Sequence, residues 1–123
     1  MAAPTYEDAN IMLQVMRWGA ERGIEKALSF MWSDKFEADY AVFQEKYPAG
    51  SKQDRYLSQI CGQYEIIAAF WVNGLLNEKL IRDIWPVKII WERVKGYALG
   101  IRELYGEPDI FEHFEALAKK LSN

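Results

Sequence analysis

One cysteine, one histidine and four prolines in 123 residues close off several chemistries at once. The lone thiol, Cys61, forms no internal disulfide, so nothing in the chain asks for an oxidising compartment. A single His113 cannot build the paired Glu-x-x-His sets of di-iron bundles. Glu112 stands directly before it, and helical neighbours point about 100° apart, so the two do not share a metal. No Lys/Arg run exceeds Lys119–Lys120 and the net charge is −3, so the basic face of a nucleic-acid binder is missing. The longest unbroken apolar run, Ile66–Val72, falls far short of the ~18 residues of a membrane span. The opening Met1-Ala-Ala-Pro-Thr-Tyr-Glu-Asp is acidic where a signal peptide is basic. A cytoplasmic protein without a membrane span is expected. The chain also lacks a Gly-x-Ser-x-Gly elbow, a glycine-rich phosphate loop, strand-like alternation and any repeat of 20–50 residues. No catalytic residue, metal or cofactor is assigned on this basis.

What is abundant is apolar and aromatic. Half the residues are hydrophobic, and five Trp, seven Tyr and six Phe are many for one small domain. This composition excludes a disordered chain and supports a single packed domain over residues 1–123. Aromatic rings fill cores and also dominate partner surfaces, so the excess is consistent with either use.

Helical periodicity runs almost end to end. Thr5 with Asp8 reads as an N-cap and first-turn acid. Met12, Val15, Met16, Gly19, Ala20, Gly23, Ile24, Ala27, Leu28 and Met31 follow at three- and four-residue steps, predicting one helix or a helix pair over 6–32. Asp34 with Glu37 resembles a capping box ahead of the stripe Phe36, Tyr40, Phe43, Tyr47. Pro48-Ala-Gly-Ser is the clearest break, and Ser51 or Asp54 restarts a helix carrying Leu57, Ile60, Cys61, Tyr64, Ile67, Ala68, Trp71, Val72 and Leu75. Asn73–Gly74 ends it. Asn77 caps a short helix with Leu80, Ile81 and Ile84. Pro86 opens another, which buries Val87, Ile90, Trp91, Val94, Ala98, Ile101 and Tyr105 and stops at Gly106. A last helix is predicted from Pro108–Asp109, with acids first and Lys119 and Lys120 last, as the helix dipole favours. The expected fold is all-α: a bundle of about four main helices over 34–121 with an N-terminal helical arm.

Charges on the borders of these stripes are the first site candidates, because an unpaired buried charge costs several kcal/mol, on the order of 3–5. Glu65 lies among Cys61, Ala68 and Val72, and Arg102 among Ala98, Ile101 and Tyr105. If the helices are antiparallel neighbours, Arg102 forks onto Glu65 and shares a second acid, Glu112 or Glu115. Such a cluster is either an anion or acid–base pocket or a structural ion pair that sets helix register. His113 is expected on the solvent-facing flank of the last helix. Cys61 reads as a buried core residue, since no base lies one turn away to make a thiolate. Ser33 and Ser51 fall near predicted helix starts, where capping explains them. Gly19, Gly23 and Ala27 place small residues on one helical face, which suits close packing inside the chain or a homodimer seam. Trp85, at a helix joint before Pro86, is the candidate for an exposed interaction ring.

The segments Tyr64-Glu-Ile-Ile-Ala-Ala-Phe-Trp-Val-Asn-Gly-Leu-Leu-Asn-Glu, Trp91-Glu-Arg, Ile101-Arg-Glu and Phe111-Glu-His-Phe-Glu-Ala-Leu-Ala occur in an order that resembles a broad, uncharacterised family of small bacterial helical proteins. That family shows a Phe/Tyr-Glu pair before a Gly-Leu turn, a Trp-rich helix ending in Arg, and a terminal Phe-Glu-x-Leu-Ala helix. The resemblance spans about residues 36–121 and takes in Glu65, Gly74, Leu75, Arg102, Phe114, Glu115, Leu117 and Ala118. It implies that Glu65, Arg102 and Glu115 belong to one shared feature of the fold. It carries no activity. Some relatives place a membrane anchor before the domain, which is not expected here. The function expected is a non-catalytic interaction or assembly module that self-associates, with a protein partner as an option. The alternative is a small-ligand protein or enzyme built on Glu65 and Arg102.

Overall fold

In the computed structural model, which describes residues 2–122, the chain folds into seven helices. They are α1 (Tyr6–Glu21), α2 (Ile24–Trp32), α3 (Tyr40–Lys46), α4 (Lys52–Val72), α5 (Glu78–Ile84), α6 (Val87–Tyr105) and α7 (Glu112–Leu121). No strand occurs among the described residues, so the fold is all-α. The central element is α4, which packs against α1, α2, α6 and α7, while α6 also holds α3 and α7. Leu57, Ile60, Cys61, Ile67 and Ala68 of α4 are completely buried. The Tyr64 ring stacks on Phe114 at 5.3 Å, and Trp91 meets the same Phe114 edge-on at 5.0 Å. A second aromatic group (Phe30, Phe36, Phe43, Tyr47 and Tyr97) fills the opposite end.

Local chemistry sets most helix ends. Thr5 and Asp8 form a reciprocal capping box on α1. Ser51 caps α4 through Asp54 N and Asn77 caps α5 through Leu80 N. Asp8 reaches further: its Oδ1 accepts the backbone N–H of Asn77 at 2.9 Å, tying α1 to the start of α5. Pro86 stands at the N-cap of α6, one position ahead of its first helical residue.

Of the single helix or helix pair expected over 6–32 the structure shows the pair, and two other boundaries differ from the sequence expectation, each for a physical reason. Residues 6–32 form two helices, because Gly23 takes φ 80°, a left-handed conformation that glycine adopts freely. Asp34 and Glu37 do not start a helix. Residues 33–39 run as turns, and Asp39 caps α3 instead by accepting Val42 N. The last helix begins at Glu112 rather than near Asp109, after a turn in which Phe111 holds φ 59°.

The Gly23 bend also removes the single small-residue face proposed across Gly19, Gly23 and Ala27. Gly19 lies against the Gln63 amide, whose Nε2 would be 2.9 Å from an added Cβ, and Ala27 is completely buried in the chain's own core. The glycines that do admit a neighbour closely are on α6. A Cβ at Gly96 would sit 2.1 Å from the Ala38 carbonyl oxygen, and one at Gly100 2.1 Å from the Tyr40 ring. Gly62, inside α4, has nothing within 4 Å of that position.

Urea denaturation should therefore separate these sites. Gly96→Ala is expected to destabilise by roughly 2 kcal/mol or more, because backbone must move. Gly62→Ala should stabilise by about 0.5–1 kcal/mol through helix propensity.

Candidate functional site

The charged residues singled out in the sequence meet where α7 starts. Its N-cap position is filled by Phe111, which makes no side-chain cap, so the first amides of α7 need an outside acceptor. Glu65 supplies it from the middle of α4. Its Oε1 accepts the backbone N–H of Phe114 at 2.9 Å, and its Oε2 lies 2.7 Å from Nδ1 of His113. With Glu65 ionised, Nδ1 carries the proton and donates. A carboxylate at a helix N-terminus is favoured by the dipole as well as by the hydrogen bond.

Arg102 holds the other side of the same turn. Its Nε donates to the Ile110 carbonyl at 2.7 Å and its Nη1 to Glu115 Oε1 at 2.7 Å. Lys119 adds an ion pair to Glu115 Oε2 at 3.2 Å. The Arg102 guanidinium beside Glu115 holds its carboxyl below the usual carboxylate range, with Lys119 assisting. The left-handed backbone at Phe111 costs about 1–2 kcal/mol; it persists because Arg102 grips Ile110 on one side and Glu65 caps α7 on the other.

The cluster joins Arg102 to Glu115, and the expected Arg102–Glu65 pair is not formed. Arg102 bonds Glu115 and Ile110, and Glu65 bonds His113 and Phe114. Glu112 is outside the core of the cluster, half-exposed, with Oε1 3.8 Å from His113 Nε2. His113 is not on the solvent-facing flank. Because α4 crosses the start of α7, the second residue of α7 lies over Glu65 and is partly buried. Cys61 is sealed in the core, and burial pushes its thiol pKa up, away from reactivity. Trp85 is half-buried between helices. Arg93 went unnoticed in the sequence: it donates to the carbonyls of Met31 and Ser33 at 2.8 and 3.1 Å, closing the C-terminal end of α2. Its only signal was an Arg facing the apolar stripe of α6.

Chemically, an imidazole oriented by a carboxylate is half of an acid–base dyad. The remaining half would be a nucleophile or substrate cleft at His113 Nε2, from which Glu112 Oε1 lies 3.8 Å away. None of the main clefts is lined by Glu65, Arg102 or His113. Among the described residues no three His, Cys, Asp or Glu side chains are grouped to hold a metal. The arrangement ties three helices together.

An apolar groove lies elsewhere, along α1. This helix buries only Val15 and Gly19. Between it and α4 runs a groove of about 350 Å³ lined by Ile11, Gln14, Val15, Trp18, Ile66 and Phe70.

Fold and polar tie together define a small all-α bundle domain whose charged residues clamp its last helix. The chain belongs to the family described as a domain of unknown function (DUF4760), whose model matches residues 5–121. No curated protein and no solved structure matches it.

Glu65→Ala is expected to cost about 2 kcal/mol, since it strips a helix cap and orphans a partly buried amide; Glu65→Gln should recover part of this. The depressed Glu115 pKa gives stability that is present above the unfolded carboxyl value of about 4.3 and lost as pH falls below it. Arg102→Leu should cost about 2–3 kcal/mol at neutral pH and flatten the acid limb of a stability–pH profile measured by urea midpoints. An unchanged midpoint at neutral pH would refute the clamp.

Proposed function

We propose that this protein is a non-catalytic helical interaction module that self-associates through α1. The observation that carries this is the composition of the least covered helix. From Ala9 to Met16 the chain has no charged residue, yet α1 leaves Leu13 57% and Trp18 36% exposed. The outward face of α1 carries Asn10, Gln14, Arg17 and Glu21, and Leu13 and Trp18 are apolar positions beside it that stay uncovered. Its own chain covers one side only.

The occupant that fits is a second copy. Trp18 and Ile11 from α1, with Ile66 and Phe70 from α4, form a groove that is apolar at its base and bordered by Gln14. A partner's α1, lying antiparallel across it, would bring the same uncharged stretch to the same groove. This is the self-complementary arrangement of a two-fold dimer and a helix-in-groove mode of recognition. The rings left over from the core, such as Trp18, fit the anchor role that aromatics play in interfaces. The seam so placed differs from the Gly19–Gly23–Ala27 face, whose first and last members are already used within the chain. Cytoplasmic residence is part of this reading, because the lone thiol is sealed in the core and needs no oxidising environment.

The competing idea, a ligand or acid–base pocket at Glu65 and Arg102, is less favoured, because those side chains are engaged with Phe114, His113, Ile110 and Glu115. Light scattering on the full chain tests the module. A dimer with Kd in the micromolar range, about −8 kcal/mol, is expected, and Trp18→Glu with Leu13→Glu should convert it to monomer without lowering Tm. A monomer at every concentration would overturn self-association.

A further inference from the structure

On the other flank of α1 lies a second cleft, of about 310 Å³, between the α1–α2 elbow and the central helix. Its walls are Met16, Ala20, Ile24 and Leu28, with the Trp85 ring, and Glu25 stands at its rim. Gln63 and Tyr64 of α4 complete it. The bend at Gly23 creates the space: a straight 6–32 helix would carry Ile24 and Leu28 away from α4.

Two features set this cleft apart from an ordinary surface furrow. Gln63 is only 6% exposed and Tyr64 only 4%, so both polar side chains are more than nine-tenths buried. The Gln63 amide donates from Nε2 to the Val15 carbonyl at 3.0 Å, which orients its carbonyl oxygen. Among the described residues neither that oxygen nor the Tyr64 hydroxyl has a protein partner. Neither is sealed off, since among the described residues Arg102 Nη2 is the sole unpartnered side-chain N or O atom that is fully buried. Both atoms therefore keep contact with solvent, and both residues line the cleft. Water can answer both atoms when the cleft is empty, and a ligand that displaces it must reproduce those hydrogen bonds.

We propose that this cleft binds a small neutral amphiphile: an apolar body against Met16, Ile24, Leu28 and Trp85, and a hydroxyl or carboxamide head between Gln63 and Tyr64. The volume is that of roughly ten water-sized groups, and it sits at the small end of ligand cavities that combine apolar walls with a few polar contacts. Gln63 offers an acceptor and Tyr64 both a donor and an acceptor, which a hydroxyl or amide can answer in full. Tyr64 stays protonated, its pKa pushed up to about 12 by burial, so it serves as a neutral donor. No Lys or Arg lines the cleft, and Glu25 does, so a carboxylate head is disfavoured. This proposal does not depend on self-association, since the cleft and the α1–α4 groove lie on opposite sides of α1.

The test is titration of the full chain with 1-octanol, octanamide and octanoate, followed by proton–nitrogen NMR of the Gln63 side-chain amide and the Trp85 indole N–H. Octanol and octanamide should produce saturable shifts at both groups, with octanoate at least about 10-fold weaker. Tyr64→Phe should weaken the neutral probes by about 3- to 10-fold, the loss of one hydrogen bond. Ala20→Phe, at an exposed position of α1, fills the cleft without disturbing the core and should abolish the shifts at unchanged Tm. Three outcomes would overturn the proposal: no saturable shift with any probe, shifts confined to Ile66 and Phe70 of the other groove, or undiminished binding in Ala20→Phe. Octanoate binding as tightly as octanol would overturn the neutral-head assignment.

Discussion

A carboxylate in the middle of one helix caps the beginning of another, and the rest of the bundle is arranged around that contact. Glu65 lies one turn from the buried Cys61 and Ala68, so α4 cannot shift along its axis without burying this charge or breaking its bonds to Phe114 and His113. The cap in turn aims Phe114 into the core, where it meets Tyr64 and Trp91. One interaction thus joins electrostatics, helix termination and core packing. Removing one partner of such a tie costs more than the tie contributes net, because the orphaned group stays partly buried.

Arg102 is the counterpart on α6. Its guanidinium spans a backbone carbonyl and a carboxylate, which suits its planar fork of donors. Together Glu65 and Arg102 hold a turn whose backbone is unfavourable at Phe111. Polar groups at the edge of a core specify register in this way: apolar contacts tolerate sliding, and hydrogen bonds of 2.7–2.9 Å do not. The same side chains that look like a site in the sequence are the reason α7 docks in one position. Apolar surface not consumed by the bundle collects on α1, flanked by two clefts of different character, one largely apolar with Gln14 at its border and one lined also by Gln63, Tyr64 and Glu25.

Much of this was legible residue by residue. Thr5, Ser51 and Asn77 each announce a helix because a short polar side chain accepts from the backbone two or three positions on. The stripes of α4 and α6 follow from the 3.6-residue period alone. Glu65, Arg102 and Glu115 could be grouped because charges next to apolar positions need partners. What was not legible is which charge meets which. Glu65 and Arg102 have opposite charge and suitable spacing, yet Glu65 bonds an amide and a histidine that are dispersed neither by charge nor by period. His113 gave no such signal, because its position over Glu65 depends on the crossing of α4 and α7. Gly96 and Gly100 were passed over for Gly19 and Gly23, since small residues four apart look the same whether a helix, a carbonyl or nothing lies opposite.

The amino-acid sequence by itself determined the helical class, most helix starts and the membership of the core, because caps, breaks and apolar period act over a few residues and need no neighbour. Only the tertiary structure decided the late start of α7, the Glu65–His113 contact and the two clefts beside α1. Each of these depends on residues far apart in the chain, such as Val15 with Gln63 or Glu65 with Phe114. Their meeting is set by how whole helices cross, and local propensity carries no record of that.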